Sequence, residues 1–297
     1  MKDLPVISES PAPRKPDWLK VRISHTKTFH GVRGLVNDLQ LHTVCEEAAC
    51  PNRGECWSRG TATFMIMGDT CTRSCGFCNV KTGRPEALDA LEPQRVADAI
   101  RAMRLRYAVI TSVDRDELPD AGAAHFAATI KTVRATNPVC KIEVLTPDFK
   151  GMEESLAIVC EARPDVFAHN METVARLHQA VRPQAKYWQS LQVLGRAKRL
   201  GMTVKSGIMV GLGETRHEVI QVMHDIVEVG CDLMTIGQYM QPTPRHLPVV
   251  EYIKPDVFDE YVKIGRELGL KHVQAGALVR SSYRAETQEA IMRNNER

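Results

Sequence analysis

The stretch that decides the fold is residues 62–78, ATFMIMGDTCTRSCGFC, in which a short apolar run leads directly into three cysteines. The run ATFMIM (62–67) is typical of a buried strand. Cys71, Cys75 and Cys78 follow it at C-x3-C-x2-C spacing, with an aromatic residue just before the last cysteine. Parallel α/β barrels build their active sites where the strands end. The stretch therefore predicts a barrel strand that presents three thiols at the barrel mouth.

Similar patterns continue along the chain and predict the rest of the barrel. Short apolar, β-branched runs occupy residues 107–112, 141–146, 165–169, 202–207 and 232–237. Helical spacing is clearest in residues 92–103, 123–135, 185–200 and 214–229. Strands that alternate with helices predict βαβ units and a parallel sheet, which right-handed crossovers curl into a barrel. Six units are fewer than the eight of a closed barrel, so we expect an α/β fold, a partial (β/α)6 TIM-type barrel whose opening the N- and C-terminal extensions cover.

Three segments are predicted: an extension over 1–60, the barrel over 61–240 and a second extension over 241–297. The first 20 residues are rich in proline and charge, which is typical of an extended surface arm. Trp18 and Leu19 are the side chains expected to anchor that arm.

The rest of the first extension holds one predicted helix, around Phe29–Leu41. The segment after it contains Pro51 and Gly54, which argue against regular structure there.

Composition limits the classes of function. The 39 basic and 36 acidic side chains give a formal net charge of +3, too balanced for the single-sign field that nucleic-acid binding usually needs. No stretch approaches the roughly 20 apolar residues of a membrane-spanning helix, and the start of the chain lacks the features of a secretory signal. We expect a cytoplasmic protein without a membrane or nucleic-acid partner, in which clustered thiols bind metal more often than they form disulfides.

The C-x3-C-x2-C group has too few ligands for a structural zinc site. Such a site takes four ligands, and no histidine lies within 25 residues after Cys78. Three thiolates on a four-iron cluster leave one iron open for a bound molecule, so a cluster is the favoured interpretation.

An earlier group of three cysteines also lacks a fourth cysteine ligand. Cys45, Cys50 and Cys56 have C-x4-C-x5-C spacing. A zinc knuckle with His42 as the nearby fourth ligand is one interpretation. A second iron-sulfur cluster with its fourth ligand elsewhere in the chain is the favoured one.

The triplet after the first strand resembles that of the radical S-adenosylmethionine (SAM) superfamily. In GIMVGLGE (207–214), Gly211 and Glu214 resemble part of the superfamily's G-x-I-x-G-x-x-E pattern. Asn170 and Glu172 stand in an N-x-[D/E]-T context that resembles the one that binds the SAM ribose in biotin synthase. A strand-to-helix turn and a helix cap are the alternative interpretations. The resemblance implies that the open iron chelates SAM, which the reduced cluster cleaves to a 5′-deoxyadenosyl radical.

The sequence departs from the superfamily pattern after the second strand. TSVDRDEL (111–118) contains no G-G-E motif, and Thr111 and Ser112 stand in the corresponding place. Arg182 is a candidate contact for the carboxylate of SAM or for the substrate.

Both triplets, in this order, together with IEVLTPDF, AHNMETV, GLGET, QYMQPT and VRSSYRA, resemble the lipoyl synthase family from Trp18 to Ala285. The resemblance implies two [4Fe-4S] clusters and SAM as cosubstrate. It also implies that a serine of RSSY, Ser281 or Ser282, is the fourth ligand of the first triplet's cluster; Ser282 is favoured. An alkoxide is a hard ligand for iron and makes one bond of that cluster replaceable.

The activity implied by this resemblance is the insertion of sulfur at C6 and C8 of an octanoyl group on a lipoyl domain or the glycine-cleavage H protein. An electron donor such as ferredoxin or flavodoxin and an iron-sulfur carrier that rebuilds the spent cluster are the further partners implied. Biotin synthase-like enzymes, methylthio-transferring enzymes and a non-catalytic two-cluster electron carrier are the alternatives. Ferredoxin-type carriers, however, supply four cysteines to each cluster.

Overall fold

The computed structural model describes residues 14–20 and 26–288. Residues 1–13 of the predicted arm, and residues 289–297 of the second extension, lie outside the described residues. Asp17–Leu19 form one turn of 3-10 helix. Leu19 is fully buried there, whereas Trp18 is 45% exposed, so only Leu19 anchors this part of the arm as expected.

The strands of the described residues fall into two sheets. They are β1 (His42–Thr43), β2 (Thr63–Ile66), β3 (Thr70–Cys71), β4 (Lys81–Thr82), β5 (Tyr107–Ser112), β6 (Lys141–Leu145), β7 (Val166–Ala168), β8 (Val204–Val210), β9 (Leu233–Gln238) and β10 (His272–Gly276). The large sheet has the order β1-β2-β5-β6-β7-β8-β9-β10, and β3 pairs with β4 in a separate two-stranded sheet. All pairs are parallel except β1 with β2. The six predicted strands and their parallel order are thereby confirmed.

A seventh parallel strand was missed by the sequence prediction. β10 pairs with β9 along its whole length, although its sequence HVQAG contains a glutamine and a glycine and has only a weak β pattern. It belongs to the segment predicted as the C-terminal extension and continues the sheet of the barrel.

The helices are α1 (Lys27–Asp38), α2 (Val44–Glu47), α3 (Arg53–Ser58), α4 (Glu92–Ala102), α5 (Ala123–Thr136), α6 (Glu153–Glu161), α7 (His178–Val181), α8 (Tyr187–Arg199), α9 (Arg216–Glu228) and α10 (Pro255–Glu267). Local sequence explains several of their starts. Thr26 caps α1 by accepting a hydrogen bond from Phe29 N at 3.2 Å. Thr215 and Glu218 form a reciprocal capping box at the start of α9, which supplies two of the helix's unpaired amides with partners.

Strand β2 shows why the barrel strands are buried on both faces. Alternate side chains of a strand face opposite sides. Thr63 and Met65 line the interior cavity, so Phe64 and Ile66, both fully buried, face the surrounding helices. A parallel sheet covered on both faces has no polar side.

The first cysteine group lies partly in helices, contrary to the prediction of an irregular segment. α2 contains Cys45 and α3 contains Cys56. Pro51 precedes α3, where its missing N–H costs no helical hydrogen bond.

The two extensions meet across the open side of the barrel. Asn52 Nδ2 donates to the Leu278 carbonyl at 2.6 Å, and Tyr283 OH donates to the Glu55 carboxylate at 3.1 Å. Since β1 lies at one edge of the sheet and β10 at the other, these contacts span the gap between the edges. In the part of the chain that the structure describes, no helix is both long and apolar enough to cross a membrane.

Candidate functional site

One cavity of about 530 Å³ opens at the carboxyl ends of the parallel strands. Cysteines of both groups line it: Cys45, Cys50, Cys71, Cys75 and Cys78. A smaller cavity of about 50 Å³ beside it is lined by Cys56 together with Cys45 and Cys50. The structure therefore brings the two triplets to neighbouring parts of one space, although 14 residues lie between them in the sequence.

The second triplet lies on a loop whose two ends pair with each other. β3 and β4 pair on either side of it, and Gly83 N donates to the Cys71 carbonyl at 3.0 Å. Two amides, Arg73 N at 3.4 Å and Asp114 N at 3.3 Å, donate to Cys71 Sγ. Backbone donors of this kind favour a thiolate over a thiol.

The thiols of this loop hold their protons strongly in the absence of a cation. Burial raises the pKa of Cys75 to about 12 and that of Cys78 to about 11, and the neighbouring thiols add to the effect. A metal centre that replaces these protons supplies the missing positive charge. Three such thiols around one cavity fit an iron-sulfur cluster with an open iron.

An ionic network anchors the loop to two barrel strands, and the sequence reasoning missed it. Arg73 donates to Asp116 at 2.7 and 2.8 Å and to Asp148 at 2.7 Å. Asp116 follows β5 and Asp148 follows β6, so one buried arginine ties the cysteine loop to both strand ends. Burial and the adjacent Asp148 and Asp116 raise the pKa of Asp114 to about 6, although Arg73 opposes the shift. The rule that barrel chemistry gathers at strand ends was the available signal.

Five residues predicted to contact SAM line the cavity: Thr111, Ser112, Asn170, Glu172 and Arg182. Two buried atoms among them, Ser112 Oγ and Asn170 Oδ1, have no hydrogen-bond partner among the described residues. Buried polar atoms are normally paired, so these two leave room for a polar ligand. Arg182 donates to the Asn170 carbonyl at 2.9 Å.

Glu172 occupies a strained position on the cavity wall. Its φ of 65° is in the left-handed region, which costs a residue with a side chain about 1–3 kcal/mol. Its backbone is held by bonds to the Gly207 carbonyl at 3.0 Å and from Met209 N at 2.8 Å. Burial raises the pKa of its carboxyl group.

Gly211 and Glu214, which were also predicted to bind the cofactor, lie behind the wall of the large cavity. The described residues that line the cavity do not include Gly211 or Glu214. The Glu214 carboxylate accepts hydrogen bonds from Gly211 N and Leu212 N and so holds the turn after β8. Gly211 has a φ of 101°, and a Cβ there would lie 2.4 Å from the Glu251 carbonyl oxygen. Cofactor binding by these two residues stays a prediction.

The two candidate serines face different neighbours. Ser282 lines the smaller cavity with the first triplet, and its Oγ accepts from Thr63 Oγ1 at 2.8 Å. Ser281 Oγ accepts instead from Asn170 Nδ2 at 2.7 Å. The geometry thus favours Ser282 over Ser281 as a partner of the first triplet, but the ligand assignment stays a prediction.

Two thiols of the first triplet, those of Cys45 and Cys56, also hold their protons strongly in the absence of a cation. Burial raises the pKa of Cys45 to about 11 and that of Cys56 to about 12, with the other thiols of the group adding to the effect. Among the described residues, no three His, Cys, Asp or Glu side chains converge on the position of a single metal ion. Three thiols and one hydroxyl around the small cavity are a donor set that suits a polynuclear cluster.

Family models match two parts of the chain. Residues 65–226 match the model of the radical SAM superfamily. Residues 3–50 match the model described as the N-terminal domain of lipoyl synthase of the radical SAM family.

Curated relatives match nearly the whole chain. It is 56% identical to a lipoyl synthase of Rubrobacter xylanophilus, with 96% of this chain and 89% of the relative covered. It is 54% identical to a mitochondrial lipoyl synthase of Nematostella vectensis, with 93% and 95% covered.

Solved structures share the fold. A methylornithine synthase matches with a TM-score of 0.55 at 13% identity, over 84% of this chain and 82% of that one. A maturase of the [FeFe]-hydrogenase matches with a TM-score of 0.59 at 13% identity, over 77% of this chain and 53% of that one.

Proposed function

The chain belongs to the lipoyl synthase family of radical SAM enzymes, and we propose that it uses SAM to insert two sulfur atoms, at C6 and C8, into a protein-bound octanoyl group. The observation that carries the proposal is the cavity that cysteines of both triplets line, with the remaining cysteine, Cys56, on the smaller cavity beside it. Radical generation and sulfur delivery must act on the same carbon atoms, and a cavity that thiols of both triplets reach allows both.

Cys71, Cys75 and Cys78 hold the four-iron cluster at which SAM binds, and the cluster and SAM together supply the radical chemistry. Such chemistry is needed because the hydrogens on C6 and C8 are too weakly acidic for any side-chain base. The protein's part is to position the reactants. Ser112 and Asn170 offer unpaired buried polar atoms to SAM, and Arg182 offers a charge that suits its carboxylate.

Cys45, Cys50 and Cys56 hold a second four-iron cluster, which is the source of the inserted sulfur. Ser282 Oγ is its fourth ligand, supported by its place beside these thiols in the smaller cavity. Thr63 Oγ1 donates to Ser282 Oγ, and a donor at this oxygen favours its anionic form.

The octanoyl chain binds between the triplets. Apolar side chains of the cavity wall, Met65, Leu145, Met209 and Met240 among them, suit a saturated chain that offers no hydrogen bonds. Unbranched methionine side chains adapt to such a shape. The acyl chain comes from an octanoylated lipoyl domain or H protein; ferredoxin or flavodoxin supplies electrons, and an iron-sulfur carrier rebuilds the second cluster.

Mass spectrometry tests the activity. The protein is reconstituted with iron and sulfide under anaerobic conditions and incubated with SAM, reductant and a peptide that carries octanoyl-lysine. We expect a peptide heavier by two sulfur atoms, together with methionine and 5′-deoxyadenosine. Cleavage of SAM without any sulfur in the peptide would refute sulfur insertion, and the absence of SAM cleavage would point to the electron-carrier alternative.

A further inference from the structure

A charged group lies in the barrel interior, one layer below the cavity. Lys205 on β8 and Glu143 on β6 have side chains that are each 1% exposed, and Lys205 Nζ lies 2.7 Å from Glu143 Oε1. Tyr107 OH on β5 donates to Glu143 Oε2 at 2.6 Å. Two residues further along β8 and β6, Gly207 and Leu145 line the cavity, so the charged group lies on the same interior face.

Stability does not explain this group. Removing two charges from water costs several kcal/mol per ion, and apolar replacements of similar size are often neutral or stabilising. A buried ion pair therefore needs another reason, such as fixing one arrangement of its neighbours.

The neighbour in question is the backbone of the serine segment. Lys205 Nζ also donates to the Ser281 carbonyl at 2.6 Å, and a charge-assisted bond of this length is among the stronger ones in proteins. Glu143 balances the charge of Lys205 and orients its ammonium group. The next peptide unit carries Ser282, so fixing the Ser281 carbonyl limits the direction in which the Ser282 side chain points.

The chain from Val279 to Ser282 packs closely against the barrel strands. Val279 passes so close to β9 that a Cβ on Gly237 would lie 2.1 Å from the Val279 carbonyl oxygen. Only a glycine allows that approach. Beyond Val279, the Ser281 carbonyl accepts a hydrogen bond from Lys205 Nζ, and the Ser282 hydroxyl accepts one from Thr63 Oγ1.

We propose that Lys205, oriented by Glu143 and Tyr107, is a positioning residue that holds the Ser281–Ser282 backbone so that Ser282 Oγ faces Cys45, Cys50 and Cys56. This inference rests on the proposed role of Ser282. It adds that the position of a cluster ligand from the C-terminal segment is set by a charge inside the barrel.

Two variants distinguish a role of Lys205 in positioning the serine segment from a role in balancing the charge of Glu143. Lys205→Met removes the bond to Ser281 but leaves Glu143 buried without its cation. The triple variant Y107F/E143L/K205M removes the whole polar group, so no buried charge is left unpaired. Lys198→Met is the matched control, because it breaks the pair between Lys198 on α8 and Asp232, just before β9, while Asp232 keeps Lys271 at 3.2 Å.

Hydrogen exchange of the reconstituted protein is the first measurement. We expect the amides of residues 278–284 to exchange about tenfold faster or more in both Lys205 variants. Thermal stability should fall in Lys205→Met and return in the triple variant. The Lys198→Met control should exchange like the wild type in this segment.

The second measurement is the ratio of dithiolated peptide to 5′-deoxyadenosine. We expect it to fall by about tenfold or more in both Lys205 variants, and Lys205→Met should add little to the loss already caused by Ser282→Ala.

Normal exchange and a normal ratio in the triple variant would overturn the proposal, since Lys205 would then only balance Glu143. A triple variant that does not fold would overturn it too, because the group would be needed for the fold itself. If the wild type makes no dithiolated peptide, the proposed function fails, while the exchange rates still decide whether Lys205 holds the segment.

Discussion

The two cysteine triplets differ in how the chain builds them. The second triplet is local: its three thiols lie within eight residues, on a loop that β3 and β4 close. The first triplet depends on both ends of the chain, because its candidate fourth ligand, Ser282, belongs to the C-terminal segment. The contact that joins Asn52 to Leu278 spans 226 positions. A local site forms with its loop, whereas the divided site exists only after the barrel has brought the two extensions together.

Their surroundings differ as well. Charged residues tie the second triplet to the strand ends, with Arg73 buried between Asp116 and Asp148. At the first triplet, Arg59 and Arg284 pair with Glu55 at a half-exposed rim, while the buried Lys205 contacts only the backbone of the serine segment. Rim pairs of that kind contribute about 0–1 kcal/mol. The buried arginine is therefore a stronger ionic anchor for the second triplet than the rim pairs are for the first.

Removing the local triplet should have the largest effect. In the variant C71A/C75A/C78A we expect no SAM cleavage and no sulfur insertion, because these three thiols are the proposed ligands of the cluster at which SAM binds. Chromatography of 5′-deoxyadenosine after anaerobic incubation measures this. SAM cleavage at the wild-type rate would refute the assignment of the two sites.

Removing the divided triplet should separate the two activities. In the variant C45A/C50A/C56A we expect SAM cleavage within about twofold of the wild type, since the three thiols proposed to hold the SAM-binding cluster are unchanged, and no dithiolated peptide. Both products can be measured in one reaction. Dithiolated peptide from this variant would mean that its sulfur comes from elsewhere.

The serines provide a narrower contrast. Ser282→Ala should lower the dithiolated product by more than about tenfold while SAM cleavage and cluster assembly continue, since three thiolates remain. Ser281→Ala loses only the bond from Asn170 and should cost about fivefold or less. The ratio of dithiolated peptide to 5′-deoxyadenosine reports on both. The reverse order would move the ligand by one residue, and full activity in both variants would remove serine from the site.

An effect smaller than that of Ser282→Ala is expected from Thr63→Val, which keeps the shape of the side chain and removes the donor to Ser282 Oγ. A neutral hydrogen bond contributes about 1 kcal/mol, so the product ratio should fall by roughly fivefold. Thr129→Val is the control: its hydroxyl donates to the His125 carbonyl within α5, away from the cavity. Equal results for the two valine variants would show that Thr63 plays no part in placing Ser282.

The sequence predicted the local site far better than the divided one. The six strands and the C-x3-C-x2-C group are readable because strand pattern and cysteine spacing are properties of neighbouring residues. The choice between Ser281 and Ser282 was not readable, since adjacent hydroxyls differ only in their three-dimensional neighbours, Asn170 and Thr63.

Long-range charge contacts were missed for the same reason. Arg73 meets its two carboxylates 43 and 75 positions away, and no local pattern marks such a pair. The weakly patterned strand β10 became visible only through its pairing with β9.

Iron analysis with Mössbauer spectroscopy tests the central claim, that two triplets hold two clusters, most directly. After anaerobic reconstitution we expect about eight iron atoms per wild-type chain and about four in each triple-cysteine variant, since a [4Fe-4S] cluster holds four. The four that remain in C45A/C50A/C56A should change their spectrum when SAM is added, and those that remain in C71A/C75A/C78A should not. About four iron atoms in the wild type, or a SAM response in C71A/C75A/C78A, would contradict the account.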